Sequence, residues 1–383
     1  MDFSHVLTDL TTQILLALLL LGFVELVVYY SIYYLFLGRK AQKVSMDVLP
    51  EDEKGLPAVS VVLVAHNDVE YLRENLAYIL EQDYEDFEVV VVDYLSTDQT
   101  PFVLKLYQEN YTNLKVVNFK EDVNMFKGNK YPLSIGIRSA KNDTVVLTDA
   151  DCRPAGLQWL RHIVKAYNNG RTDFVLGYCE RRTGNNLLGM LERYDNLTYS
   201  ADYLTCGMRR HPYTGCGNNL SYRRQLFFSK GGFISHYAIP DGADDMFVNQ
   251  NATGRNTTVC LHCGGHTTVQ APKKFSYWRQ SRQHRYATYR YHSFMQKFRR
   301  ALPDIGIVSF YGAMVALFVM NLFPWQILAG CLFVKLALQI ASFAQLQKGF
   351  GEKYVCWFSP LLELYFLLSN TILSLFPLKY KIK

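Results

Sequence analysis

Between residues 59 and 147, short β-branched apolar runs alternate with stretches of helical periodicity. That alternation confines this part of the chain to a parallel sheet with helices on its faces. Val59–Val64 reads as the first strand, Phe87–Val92 as the second, Leu114–Phe119 as the third and Thr144–Leu147 as the fourth. Glu70–Gln82 reads as a helix, with Leu72, Leu76, Ile79 and Leu80 on one face. Thr97–Asn110 is a second helix, with Pro101 suited to its first turn, and Pro132–Ala140 a third. Beyond residue 151 the pattern is less regular. Gln158–Tyr167 and Leu187–Tyr203 read as helices and Asp173–Tyr178 as a strand.

Two of these strands end in aspartate. Phe87–Val92 is followed by Asp93, and Thr144–Thr148 by the triplet Asp149-Ala150-Asp151. Ligands of open α/β sheets bind beyond the carboxyl ends of the strands. Two carboxylates one residue apart at such a place can hold a hard divalent cation beside a diphosphate.

The ends of the chain are of another kind. Gln13–Leu37 holds 25 residues with one charge, Glu25, which exceeds the roughly 20 needed to cross a bilayer. It does not read as a signal peptide: Asp2 and Asp9 replace the usual basic patch, and no small-x-small site follows. Arg39, Lys40 and Lys43 close it, which predicts a cytoplasmic domain thereafter. Gly306–Phe323 and Ile327–Leu346 read as a membrane hairpin through Pro324-Trp325-Gln326. Ser359–Phe376, which holds Pro360, Glu363 and Asn370, reads as spanning or re-entrant.

The formal net charge is +6, but residues 273–300 carry nine Lys or Arg and no acid, so the remainder is near −3 (6 − 9). Aromatic residues are interleaved there, and a membrane segment follows directly. A cationic, aromatic helix on an anionic lipid surface is therefore expected, and no nucleic-acid partner. Of the eight cysteines, Cys260 and Cys263 form a single C-x-x-C near His266. Without a matching second pair it reads as a plain strand rather than a zinc site.

Several motifs in order identify a resemblance. They are His66-Asn67-Asp68 after the first strand, Asp93 to Thr100, Lys127-Gly128-Asn129-Lys130, Asp149-Ala150-Asp151, Thr214 to Arg223, Gly242-Ala243-Asp244-Asp245, and Trp278-Arg279-Gln280. Over roughly residues 58–290 the chain resembles the family-2, membrane-bound, inverting glycosyltransferases of the GT-A fold, relatives of cellulose, hyaluronan and exopolysaccharide synthases.

The resemblance implies a GT-A-like, doubly wound, mostly parallel α/β sheet flanked by transmembrane helices. It implies donor binding by His66, Asn67, Asp68, Asp93, Lys130, Asp149 and Asp151, and Mg²⁺ or Mn²⁺ on Asp151 with Asp149. Gly215, Gly217 and Asn219 would shape the acceptor site with Trp278, Gln280, Arg282 and Arg285. The family's base is the second acid of a pair. Matching the glycine of Gly242-Ala243-Asp244-Asp245 makes Asp244 the base, and matching the acidic pair makes Asp245 the base. A glycine turn ahead of a helix favours Asp244. Tyr94, Ala243 and Gln283 depart from the family pattern.

The expected organisation is an anchor at 1–40, a linker at 41–57, the GT-A domain at 58–272, a basic aromatic interfacial region at 273–304, two or three membrane segments at 305–377 and a basic tail at 378–383. The expected activity is transfer of a sugar from a nucleotide-diphosphate donor, UDP-linked on this reading, with inversion. The acceptor is a glycan or lipid-linked sugar at the bilayer. The alternatives are a single addition to polyprenyl phosphate or another lipid, and a non-catalytic sugar-nucleotide-binding subunit.

Overall fold

Continuous Val and Leu runs mark strands buried on both faces, and such strands form the centre of the sheet. In the computed structural model, which describes residues 9–47, 55–119 and 128–376, β1 (Val59–Ala65) lies between β2 (Phe87–Tyr94) and β4 (Thr144–Leu147), parallel to both. β3 (Leu114–Phe119) extends the parallel side beyond β2. Val61, Leu63, Val89–Val92, Val145 and Val146 are fully buried there. Lys127, residues 48–54 of the expected linker and the basic tail lie outside the described residues.

The chain forms two compact units, Ala41–Arg290 and Met1–Lys40 with Tyr291–Leu375. The helices in chain order begin with α1 (Leu10–Tyr29), a π-helical stretch (Tyr30–Phe36) and α2 (Leu37–Ser45). Around the sheet come α3 (Val69–Leu80), α4 (Thr100–Asn110), α5 (Lys130–Ser139), α6 (Trp159–Val164), α7 (Leu187–Met208), α8 (Arg224–Ser229), α9 (Asp245–Asn251) and α10 (Phe275–Tyr289). α5 packs so closely that a Cβ on Gly136 would meet the Val62 and Val92 side chains at 2.6 and 2.9 Å.

The second half of the sheet departs from the parallel pattern. β8 (Leu220–Arg223) runs antiparallel to β4 and to β6 (Phe174–Leu176), and β9 (Thr257–Val259) closes that edge. The order is β3-β2-β1-β4-β8-β6-β9. A smaller sheet places β10 (Thr267–Gln270) between β5 (Cys152–Pro154) and β7 (Cys179–Arg182). The strand expected through Cys260–Cys263 ends earlier, at Val259. Cys260 is buried in a loop, and Cys263 opens a short 3₁₀ turn and is exposed.

The other unit consists of α1, the π-helical stretch, α11 (Phe294–Val319), α12 (Trp325–Phe350) and α13 (Ser359–Leu375). Leu10–Ser45, α11 and α12 are long and apolar enough to cross a membrane, and α13 is a shorter apolar helix. α11 begins well before the expected Gly306, because Ser293 and Gln296 form a capping box at its start. α1 and α11 cross at Gly22, where a Cβ would meet Gly306 O and Phe310 N at 2.8 Å. Inside this unit Lys335 of α12 donates to Tyr311 Oη (3.0 Å), Gln339 Oε1 (2.8 Å) and the Glu363 carboxylate of α13. Tyr30 also donates to Glu363. These groups tie α12 and α13 to each other and to the π-helical stretch and α11.

Candidate active site

The site grows from the carboxyl end of β4. The β4–β8 register pairs Leu147 with Leu220, which lays the turn before β8 across Asp149. Asn218 Nδ2 donates to Asp149 Oδ2 at 2.6 Å and lies 3.2 Å from Cys152 Sγ. Asp149, Asp151 and Cys152 bring one potential ligand atom each to within 4.8 Å of one another. Burial, then Asp151 and the more distant Asp244 and Asp68, pushes the Asp149 carboxyl up to about 7. Burial likewise raises Asp151, against a hydrogen bond from Cys152. Crowded, poorly hydrated acids with raised proton affinity hold their charge only at a cost, which a bound cation in place of the proton would relieve. Two carboxylates suit a hard divalent cation, so these residues fit the metal that the triplet implied.

The second group of acids arrives on α9. Gly242 takes φ +89°, in the left-handed region, and its turn leads into the helix. Asp244 sits at the N-cap. Its Oδ1 accepts from Asp245 N at 2.8 Å, and its Oδ2 accepts from Gly217 N at 2.7 Å. A Cβ on Gly217 would stand 3.0 Å from Asp244 Oδ2, so this glycine permits the contact. Burial, then Asp245, raises the Asp244 carboxyl. One turn thus holds Asp244 with Gly217 and Asp149 with the next residue, Asn218.

Asp149, Asp244, Asp245, Gly215 and Gly217 line one cavity of about 260 Å³. Arg181 of β7 and Arg285 of α10 also line it, with Tyr199 and His284. His284 Nδ1 is 2.7 Å from Asp241 Oδ2. Asn218, Arg181, Tyr199 and Asp241 were not singled out from the sequence.

The β1 and β2 ends supply another cluster. His66 and Asn67 are exposed. His66 Nδ1 is 2.7 Å from Tyr94 O, and Asn67, at φ +57°, accepts from Thr97 N at 2.8 Å. Asp68 N donates to Thr100 Oγ1 (3.0 Å). Asp93 is buried, its carboxyl raised by that burial, and its Oδ1 has no hydrogen-bond partner among the described residues. An orphaned buried acceptor at a strand end leaves room for a ligand donor.

Other expected residues are turned elsewhere. Lys130 is buried, and its Nζ donates to three carbonyls, His236 O (2.8 Å), Ile239 O (2.5 Å) and Asp241 O (2.7 Å). All three ammonium protons are thereby used, and it clasps the loop before Gly242 instead of meeting phosphate. Burial lowers this amine to about 8, opposed by Asp241 and Asp244. Asn219, expected at the acceptor, is fully buried. It donates to Tyr178 O and Gly265 O (2.8 Å each) and accepts from Trp159 Nε1 (3.1 Å). Its neighbour Asn218 faces the site instead. Trp278 and Arg282 are buried and Gln280 is exposed, and none of the three lines the cavity. The basic stretch is thus not wholly a surface helix: α10 turns Arg282 and Arg285 inward to Asp195 of α7.

Residues 60–228, which include Asp93, both acids of the triplet and the 217–218 turn, match the family described as Glycosyl transferase family 2. The chain carries a family 2 glycosyltransferase domain. Its sheet is that of the GT-A glycosyltransferases. The mannosyltransferase PcManGT from Pyrobaculum calidifontis, solved in complex with GDP-Man and Mn²⁺, aligns with a TM-score of 0.60 at 22% identity, over 95% of this chain and 98% of that one. The probable glycosyltransferase YdaM of Bacillus subtilis (strain 168) is 25% identical over 294 residues, 71% of this chain and 68% of its own length. A poly-beta-1,6-N-acetyl-D-glucosamine synthase of Staphylococcus epidermidis is 24% identical over 197 residues, 51% of this chain and 45% of the synthase. The matched domain is a glycosyltransferase domain, and the neighbour PcManGT was solved with a nucleotide sugar, GDP-Man.

Proposed function

We propose that this glycosyltransferase moves a sugar from a nucleoside-diphosphate donor, with inversion, to a glycan or lipid-linked acceptor held at a membrane face. The observation that carries the reading is that Asp149 and Asp244 line the same 260 Å³ cavity with Arg181 and Arg285. Four acids and two guanidiniums around one space suit a reaction that needs both a base and an anion-stabilising wall.

Asp93 would receive an N–H of the donor's base, its orphaned Oδ1 being the acceptor. His66, Asn67 and Asp68 would border the nucleoside. Mg²⁺ or Mn²⁺, held by Asp151 with Asp149, would neutralise the diphosphate as it departs. Asp244 would take the proton of the acceptor hydroxyl as the new C–O bond forms. Its raised proton affinity suits that task, and Gly217 N–H and Asp245 N–H fix its carboxylate. Asp245 lines the same cavity and is the other candidate. Arg285 would face the diphosphate, and Gly215 and Gly217 would let the acceptor approach the backbone.

The three candidate spans support an integral membrane protein, and Arg39, Lys40 and Lys43 support a cytoplasmic catalytic unit. The relatives named as a polysaccharide synthase and a mannosyltransferase define the donors to try first. Detergent-solubilised protein is incubated with UDP- and GDP-sugars and Mn²⁺ or Mg²⁺, and released nucleoside diphosphate is measured. Metal-dependent release with one donor, increased by a glycan or lipid acceptor, is expected. No release with any donor would defeat the proposal.

A further inference from the structure

Two arginines of α10, Arg282 and Arg285, share one acid of α7. Arg282 Nε donates to Asp195 Oδ1 at 3.1 Å, and Arg285 NH1 donates to Asp195 Oδ2 at 3.3 Å. All three side chains are largely buried, at 3%, 16% and 11% exposed for Arg282, Arg285 and Asp195. Their surroundings differ. The Arg282 guanidinium lies 5.2 Å from the Trp278 ring and 5.8 Å from that of Tyr286, away from the cavity. Arg285 rests 4.2 Å over the Tyr199 ring and lines the cavity beside Asp244 and Asp245.

A guanidinium is a planar fork whose value to a diphosphate depends on its direction. Arg285 is fixed in two ways, by the Tyr199 face beneath it and by one Asp195 oxygen at its NH1. Asp195 is itself fixed by taking Arg282 on its other oxygen. The second arginine therefore orients the acid that orients the first. An acidic cavity makes this direction matter, because an unheld Arg285 would swing onto Asp244 or Asp245 and cancel the base. We infer that Asp195 is a positioning residue, which holds Arg285 toward the donor's diphosphate and off the acidic pair. This rests on the donor site proposed above.

The test compares a nucleoside diphosphate with its nucleoside. UDP against uridine, and GDP against guanosine, are titrated with Mn²⁺ into the full-length detergent-solubilised protein. Asp195→Asn keeps the volume and removes the charge. It should lower the diphosphate-over-nucleoside affinity ratio by about tenfold or more, the worth of one charged hydrogen bond. Nucleoside affinity should stay within about twofold. General damage to the fold would weaken both ligands together and leave the ratio alone. Should Asp195→Asn fail to fold, Asp195→Leu with Arg282→Met removes the deeper ion pair, leaving Arg285 on the Tyr199 ring at the cavity wall, and is read by the same ratio. Asp195→Glu should recover part of the ratio. A variant that folds, binds nucleoside and keeps the wild-type ratio overturns the inference. A wild-type protein that prefers neither UDP to uridine nor GDP to guanosine would instead defeat the proposed donor site.

Discussion

Replacing Lys130 with methionine separates two roles that a basic residue at this point of the chain can have. Met keeps most of the stem and removes the ammonium. Three carbonyls, His236 O, Ile239 O and Asp241 O, would then lose their donor. Two of these hydrogen bonds are buried and the third is partly so. A buried polar group left without its partner costs about 1–3 kcal/mol. Water reaches the part-buried carbonyl, so the sum is about 3–6 kcal/mol. For a unit of this size each kcal/mol moves the midpoint by about 2–4 °C, so a fall of roughly 10 °C or more is expected by intrinsic fluorescence in detergent. UDP or GDP affinity, measured well below the new midpoint, should stay within about threefold. The reverse pattern, an unchanged midpoint with nucleotide affinity down by about tenfold or more, would refute the clasp and restore Lys130 as a phosphate ligand.

Other outcomes follow from the same geometry. Asp244→Asn should abolish transfer while nucleotide binding, followed by titration calorimetry, stays within a few-fold; loss of transfer in Asp245→Asn alone would move the base by one residue. Mn²⁺ affinity, followed by electron paramagnetic resonance, should fall about tenfold per pH unit below the Asp149 value of about 7, because the carboxyl must lose its proton to ligate. The raised value has a second sign: without metal the folded protein retains that proton between about 4 and 7 while the unfolded chain does not, so this group's share of stability declines as pH rises through that window. Lys335→Met should destabilise the helical unit by about 3–5 kcal/mol by leaving Glu363 without its cation, with Tyr30 still donating to it, and Glu363→Leu added to it should recover most of the loss in detergent unfolding. Cys263, exposed on the catalytic unit, should resist a membrane-impermeant maleimide in intact cells and react after lysis; labelling in intact cells would reverse the orientation.

The sheet's centre was legible because buried parallel strands are written as unbroken Val and Leu runs, as in Val89–Val92. The short outer strands were not, since β5 and β9 hold three residues each and no period can show over that length. Aspartates close in sequence, such as Asp149 and Asp151, declare themselves, whereas direction does not. Arg181 and Arg182 are neighbours on one strand, so their side chains leave opposite faces, and only the first lines the cavity. Asn218 and Asn219 divide in the same way, one at the site and one buried under it. Lys130 shows its charge in the sequence but not the three carbonyls, which lie over a hundred residues away. Lys335 was lost inside an apolar run whose length dominated its reading.

That lysine bears on how the protein is made. Lys335 emerges from the ribosome 28 residues ahead of Glu363. A lone lysine at the middle of a bilayer helix costs about 2.5–3.5 kcal/mol on insertion scales. Without α13, an α12 placed in a bilayer would carry that cost with Tyr311 and Gln339 as the ammonium's acceptors. If α12 crosses a bilayer, Glu363 offsets part of that cost, so α12 should insert more completely from a chain that includes α13 than from one that ends before it.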